Sequence, residues 1–280
     1  MLAITSQSVG LRSESFIRRH MTCLDPANTV VAQFESPPIE SVDWEVECPN
    51  YQVRTPRLPN KIVPLSLRHV LPTRLAYKDD YKGLFGFLKE HGVRVILGEY
   101  LNCTWPLIEP ARRHGIKLFA HAHGNDLSTL FRLPELRKRY VDYKDCQGLI
   151  VVNEVMRERL MSIGIPDEKI HNIPYGVEVA DAYPEKPSTE TFRWLAVGRM
   201  VGKKAPLKTL KAFRIALSRQ ADIHLDFVGE GPLLVEALSY VRQHSLEMNV
   251  TLHGGQRHDV VNSLIAQSHA FVQHSVVDPV

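Results

Sequence analysis

FRWLAVGRMVGKKAPLKTLKAFRIALSRQADIHLDFVGEG, residues 192–231, is the stretch from which the fold is read. FRWLAVGRM is a run of strand length. A basic loop follows, then PLKTLKAFRIALSRQ with apolar residues at helical spacing, then DIHLDFVGEG, again a strand. Strand, helix and strand in that order make a parallel βαβ unit, because parallel neighbours need a crossover and a helix covers the sheet while crossing it. The grammar continues downstream with PLLVEALSYVRQHS as helix, NVTLHGG as strand, DVVNSLIAQS as helix and HAFVQHS as the fourth strand of this half. Upstream, GLFGFLKEHG reads as a helix closed by Gly92, VRVILGEY as a strand and WPLIEPARRHG as a helix closed by Gly115. IKLFAHAHG and QGLIVVN are strands, EVMRERLMSIG is a helix closed by Gly164, and KIHNIPYGV is a short strand and turn. The expectation is an α/β chain with doubly wound parallel sheets.

The N-terminal part is less regular. LAIT reads as a strand, and Ser13 as the cap of a helix over SFIRRHMTCL with Glu14 near its positive end. TVVAQF is a strand. Residues 36–64 carry Pro37, Pro38, Pro49, Pro56, Pro59 and Pro64 and predict extended loop or short strand. DAYPEKPSTET, with two prolines among charged and small polar residues, has the composition of a linker. The expected division is a first domain over 1–183, a linker over 184–191 and a second domain over 192–280.

Composition narrows the function. The chain has 280 residues, 44% of them hydrophobic and 23% charged, which is a globular profile. A net charge of +3 does not make the basic stripe of a nucleic-acid binder, so no nucleic acid is expected as partner. The four cysteines, Cys23, Cys48, Cys103 and Cys146, form no C-x-x-C pair, which fits reduced thiols in a cytoplasmic chain. No secretory segment and no apolar run of spanning length is read.

Three segments carry candidate chemistry. In VGRMVGKKAPLKTLKAF a strand ends at Gly198, Arg199 and Lys204 follow, and a helix begins; a strand end, a helix N-terminus and two cations together suit a diphosphate. In FVGEGPLL, Gly229 and Gly231 flank Glu230 in a turn that lets backbone approach a ligand, with Pro232 suited to the first helical turn; an ordinary tight turn fits equally well. In HAHGND, His121 and His123 are two apart on a strand. A metal pair lacks a third ligand at usable spacing, so His121 is assigned to the core as a hydrogen-bonded histidine. His123, beside Gly124, is assigned to the site, and Asn125 or Asp126 to the cap of a following helix. SVGLRSESF, with Gly10 after the first strand, is a weaker loop candidate. Residues 50–82 hold Arg54, Arg57, Lys61, Arg68, Arg74, Lys78 and Lys82 against only Asp79 and Asp80. That imbalance suits anionic head groups or a phosphorylated acceptor, and equally a solvated loop face.

Taken in order, SESFIRRHM, HAHGND, VVNEVMRERLMSIGIPDEKIHNIPYGV, GRMVGKKAPLKTLKAF, VGEGPL and VTLHGGQRHDVVNSLIAQSHAFVQHS resemble the retaining glycosyltransferases of family 4. The resemblance implies a GT-B fold of two Rossmann-like domains facing a cleft, the acceptor domain first and the nucleotide-sugar domain second. It implies transfer of a hexose from a nucleoside-diphosphate sugar to a glycan or lipid-linked acceptor, in surface polysaccharide or glycoconjugate synthesis. By the same resemblance Arg199 and Lys204 hold the donor diphosphate, and Gly229, Glu230 and Gly231 lie beside the nucleotide base. His123 lies near the transferred sugar as catalytic residue, and Gly10 and Ser15 fall in the N-terminal loop near the donor. That loop lacks the family's double glycine. No carboxylate pair is placed to hold a metal on the phosphates, so no metal or cofactor is expected beyond the donor itself. The family's Gly-rich loop and helix with two glutamates would follow Val280, so the second domain reads as truncated. Glu178, Glu230 and Glu236 do not replace those glutamates by position. The expected location is cytoplasmic, peripheral to the inner membrane face if the basic stretch binds lipid. The competing readings are a non-catalytic nucleotide-binding module and a nucleotide-sugar epimerase on a related fold.

Overall fold

Helices that end in a left-handed glycine set the rhythm of the first half, and short strands alternating with helices set that of both. The computed structural model describes residues 1–11, 14–34, 44, 46–53, 78–177 and 191–276. The chain divides into two units, Met1–Val177 and Glu178–Val280. Ser13, most of the proline-rich stretch, most of the basic stretch and residues 184–190 of the expected linker lie outside the described residues.

The first unit runs β1 (Leu2–Ser6), α1 (Ser15–Cys23), β2 (Thr29–Gln33), β3 (Asn50–Gln52), α2 (Lys78–Glu90), β4 (Val95–Glu99), α3 (Leu101–Thr104), α4 (Ile108–Arg113), β5 (Lys117–His121), α5 (Pro134–Tyr140), β6 (Gly148–Val151), α6 (Glu154–Met161) and β7 (Ile170–Asn172). Its seven strands lie in the order β3-β2-β1-β4-β5-β6-β7 and every pair is parallel. The direction of winding reverses between β1 and β4, where Leu2 faces Val95.

Alternate residues along the central strands enter different cores. Ala3, Val30 and Ile96 belong to one apolar cluster, with Leu84 and Leu88 of α2, while Ile4, Val31 and Leu97 belong to another, with Ile17 and Met21 of α1. Both faces of the sheet are therefore covered, as a parallel sheet requires. Gly92, Gly115 and Gly164 take φ of +61°, +67° and +88° at the expected helix ends.

Three details differ from the sequence expectation. The helix expected over WPLIEPARRHG is instead a 3₁₀ turn over Trp105–Leu107 followed by α4, because Pro106 and Pro110 interrupt the donors of a continuous helix, and α3 precedes the segment. Residues 127–146, to which periodicity assigns no element, contain α5 and bury Tyr140 and Tyr143. The N-cap of α1 is Glu14, which makes no side-chain capping bond. Asn153 does cap α6, its side-chain oxygen accepting the Met156 N–H at 3.0 Å.

The second unit runs β8 (Phe192–Val197), α7 (Pro206–Leu217), β9 (Ile223–Val228), α8 (Leu234–Gln243), β10 (Val250–Gly254), α9 (His258–Ala266) and β11 (Ala270–Phe271). The strands lie in the order β10-β9-β8-β11, all parallel, with the winding reversing between β8 and β11. Pro232 sits in the turn before α8 rather than in its first turn. The core gathers Leu210 and Phe213 of α7, Leu225 and Phe227 of β9 and Val241 of α8, with the Trp194 ring edge-on to Phe213 at 5.8 Å.

Leu210 is fully buried in this core. Leu210→Ala is expected to cost about 2–5 kcal/mol in the second unit. Urea unfolding followed by Trp194 fluorescence reads it, because Trp194 is the unit's own tryptophan; an unchanged midpoint refutes the assignment.

Candidate active site

Parallel strands deliver their C-terminal ends to one edge, and in open α/β sheets ligands bind there, at the reversal of winding. Every sequence-predicted site residue falls at such an edge, in two sets. Gly10, Ser15 and His123 belong to the first unit, and Arg199, Lys204, Gly229, Glu230 and Gly231 to the second.

In the first unit β4 ends at Glu99 and β5 ends at His121, which are register partners. Glu99 is fully buried and sits among three imidazoles. His20 Nδ1 of α1 lies 2.7 Å from Oε1, and His123 Nε2 and His121 Nδ1 lie 2.8 Å and 3.2 Å from Oε2. Burial pushes the Glu99 carboxyl up, but His121, His123 and His20 together draw it well below the usual carboxylate range.

Tyr175 hydroxyl stands 2.6 Å from His123 Nδ1. A carboxylate only accepts, so His123 carries its proton on Nε2 and accepts from Tyr175 at Nδ1. Burial lowers the affinity of His123 for a second proton, against the pull of Glu99. Its ring is flanked by Phe16 at 4.6 Å and Tyr100 at 4.3 Å, and Tyr100 donates to Glu14 at 2.7 Å. The resulting imidazole is neutral, oriented from both sides and packed between aromatic rings, a state suited to hydrogen bonding at one chosen atom.

Two expectations for this segment are corrected. His121 is buried, but neither ring nitrogen has a hydrogen-bond partner, so it is not a satisfied core histidine. Asp126 caps no following helix; its Oδ2 accepts the N–H of His123 at 2.9 Å and the side chain is fully buried. Burial raises the Asp126 carboxyl to about 7, against the backbone N–H groups of His123, Leu101 and Asn102 and with the help of the Glu99 charge.

Gly10 is buried just after β1 with φ +95°, and Ser15 opens α1 on its exposed side. Sequence reasoning missed Glu99, His20 and Tyr175. An acid in the buried run VILGE was the available signal for Glu99. His20 and Tyr175 carried none.

In the second unit Gly198 and Arg199 follow β8, and Lys204 closes a 3₁₀ turn just before α7. Arg199 is exposed and Lys204 half-buried, and among the described residues neither side chain has an ion-pair partner. Pro206 begins α7 after Ala205, whose φ of +44° turns the chain sharply into the helix. Gly229 and Gly231 seat the next turn against this loop. A side chain at Gly229 would run into the Gly198 carbonyl, and one at Gly231 would lie 2.6 Å from the Met200 carbonyl oxygen. Met200 N donates to the Glu230 carbonyl at 2.7 Å, and Leu233 N to that of Met200 at 3.0 Å. The glycines thus hold the backbone that carries Arg199, and Glu230 is exposed on the same turn.

Residues 29–181 match the model of Glycosyltransferase Family 4, and residues 182–280 match that of Glycosyl transferases group 1. The chain belongs to glycosyltransferase family 4. Among curated proteins, none is similar enough in sequence to count as a relative.

Solved structures share the fold of this family 4 chain. The lipopolysaccharide outer core galactosyltransferase WaaB in its apo form is 17% identical with a TM-score of 0.61, over 98% of this chain and 74% of that one. Anabaena HepE in complex with UDP-glucose is 14% identical with a TM-score of 0.67, again over 98% and 74%. Sucrose-phosphate synthase from Thermosynechococcus elongatus is 15% identical with a TM-score of 0.66, over 100% of this chain and 77% of that one. The family 4 chain accordingly has the α/β architecture of the GT-B type, its second unit carrying only the four strands described.

Asp126 yields a test of the first unit. Its carboxyl binds a proton more tightly when folded than the ordinary value of 3.8, so the folded state gains stability below that pH and loses it as pH rises through about 7. Asp126→Asn is expected to remove this component, on the order of a few kcal/mol. Urea midpoints of wild type and variant compared from pH 4 to 8 measure it, and parallel curves count against it.

Proposed function

We propose that this chain transfers a hexose from a nucleoside-diphosphate sugar to the hydroxyl of a glycan or lipid-linked acceptor. The observation that carries the proposal is the pair Arg199 and Lys204, without ion-pair partners among the described residues, at a strand end and a helix start where the winding reverses. Glycosyl transfer passes through an oxocarbenium-like state, and here the bond that breaks leaves its electrons on a diphosphate oxygen. Arg199 offers a planar fork to that growing charge, Lys204 a mobile point charge, and the first turn of α7 its unpaired N–H groups.

These cations supply the charge that a metal supplies elsewhere, so the reaction proposed needs no metal on the diphosphate and no cofactor besides the donor. Gly229, Glu230 and Gly231 line the nucleotide. Gly10 and Ser15 lie near the donor phosphates. His123 turns its Nδ1 to a hydroxyl of the transferred sugar, the Tyr175 hydroxyl yielding the position. HepE with UDP-glucose and TarM with UDP support a uridine donor. Retention at the anomeric carbon, a role in surface polysaccharide or glycoconjugate synthesis, and a cytoplasmic site of action follow from the family reading. Residues 50–82 would meet an anionic membrane surface or acceptor. No helix among the described residues is long and apolar enough to cross a membrane.

Calorimetry with UDP tests the donor assignment. Arg199→Ala and Lys204→Ala are each expected to weaken binding roughly tenfold or more, the worth of a hydrogen bond to a charged group. Wild-type affinity in both variants overturns it. Release of UDP from UDP-glucose in the presence of acceptor separates a transferase from a binding module, and a free epimerised sugar nucleotide would mark an epimerase.

A further inference from the structure

Around Glu99 the hydrogen bonds do not come out even. Its Oε1 is taken by His20 and its Oε2 by His123, at 2.7 Å and 2.8 Å. His121 is left over. Its side chain is 3% exposed, its Nδ1 stands 3.2 Å from Oε2, and neither ring nitrogen makes a hydrogen bond. A buried polar atom left unpaired costs about 1–3 kcal/mol. One kind of ligand removes that cost without adding a bulky partner: a metal ion, which takes the lone pair of a neutral imidazole.

We propose that His20, Glu99 and His121 bind a divalent transition-metal ion, Zn²⁺ by the chemistry of the donors. One donor atom from each of the three lies within 4.8 Å of the others. Two imidazole nitrogens and one carboxylate oxygen suit zinc and its neighbours, whereas magnesium and calcium ask for oxygen throughout. Zinc holds its donors at about 2.0–2.1 Å, hence roughly 3.4 Å apart in a tetrahedron. The close His20–Glu99 pair opens and the wider separation closes, by side-chain movements on the order of 1 Å.

The framework supports this. Glu99 and His121 are register partners on neighbouring strands, and His20 projects from α1. His20 is 20% exposed where the other two are buried, so it is the solvent-side member through which an ion enters. Glu99 binds the ion through Oε1, and Oε2 keeps its bond to His123 Nε2. An outer hydrogen bond of that kind orients a ligand carboxylate. The ion then fixes the carboxylate that fixes His123. It belongs wholly to the first unit and does not bridge donor phosphates. Local spacing around His121 hides the site, because Glu99 and His20 lie 22 and 101 residues before His121 in the chain, on other elements.

The full chain, stripped with a chelator, is titrated with ZnCl₂ in a calorimeter and with Co²⁺ by visible absorption, without nucleotide. One equivalent per chain and the d–d bands of a low-coordinate cobalt site are expected. His121→Ala and His20→Gln are each expected to lose at least tenfold in affinity with unchanged circular dichroism, and zinc raises the melting temperature of wild type but not of these two variants. Should His121→Ala not fold, His20→Gln carries the comparison by itself. Cys23→Ser, which removes an exposed thiol of the same helix, is expected to bind like wild type. Substoichiometric uptake, wild-type affinity in the histidine variants, or loss of binding in Cys23→Ser overturns the proposal. UDP binding by the same metal-free chain reports on the donor site separately, so either assignment can fail without the other.

Discussion

A buried carboxylate in a sheet of hydrocarbon is tolerated only where its charge is answered, and Glu99 is answered by imidazoles from three segments. His20 comes from α1, His121 from the end of β5 and His123 from just beyond it. These contacts tie the helix after β1 to the strands beyond the reversal of winding. They also decide the state of His123, since a carboxylate at Nε2 and a phenol at Nδ1 leave a neutral ring in one orientation. Asp126 adds to this from beneath by holding the backbone N–H of His123. The chemistry of the first unit depends on that packed arrangement of charges more than on any one residue.

The second unit solves a different problem with backbone. The loop that carries its two cations has to be held in place near a helix start. Gly229 and Gly231 let the next turn press against the carbonyls of Gly198 and Met200, where any side chain would collide. The loop is then pinned by hydrogen bonds from Met200 and Leu233. The glycines that look like a ligand-binding turn in sequence thus have a packing reason of their own.

Most of the fold was legible because its signals are local. Strand-length apolar runs, helical spacing and terminal glycines each act within a few residues, so the seven elements of the second unit fall where periodicity puts them. The reading was poorer where a local rule had a competitor. The two prolines of WPLIEPARRHG broke a helix into pieces, and α5 was hidden in a stretch where charge outweighs apolar spacing. Arg199, Lys204 and the glycines were legible for the same reason as the strands, since strand, loop and helix are contiguous there. His123 was legible by its glycine turn, but its partners were not.

By itself the sequence determined the alternation of strand and helix, the parallel sheets that follow from it and the placement of two cations between a strand end and a helix start. The tertiary structure alone decided which side chains meet at Glu99. Residues 20, 99, 121, 123 and 175 are brought together by strand order, and strand order is a long-range outcome that no window of sequence contains. Burial then did the rest: it left His121 without hydrogen bonds, raised Asp126 and made His123 neutral, because a charge or polar atom away from water answers to whatever the fold has placed beside it.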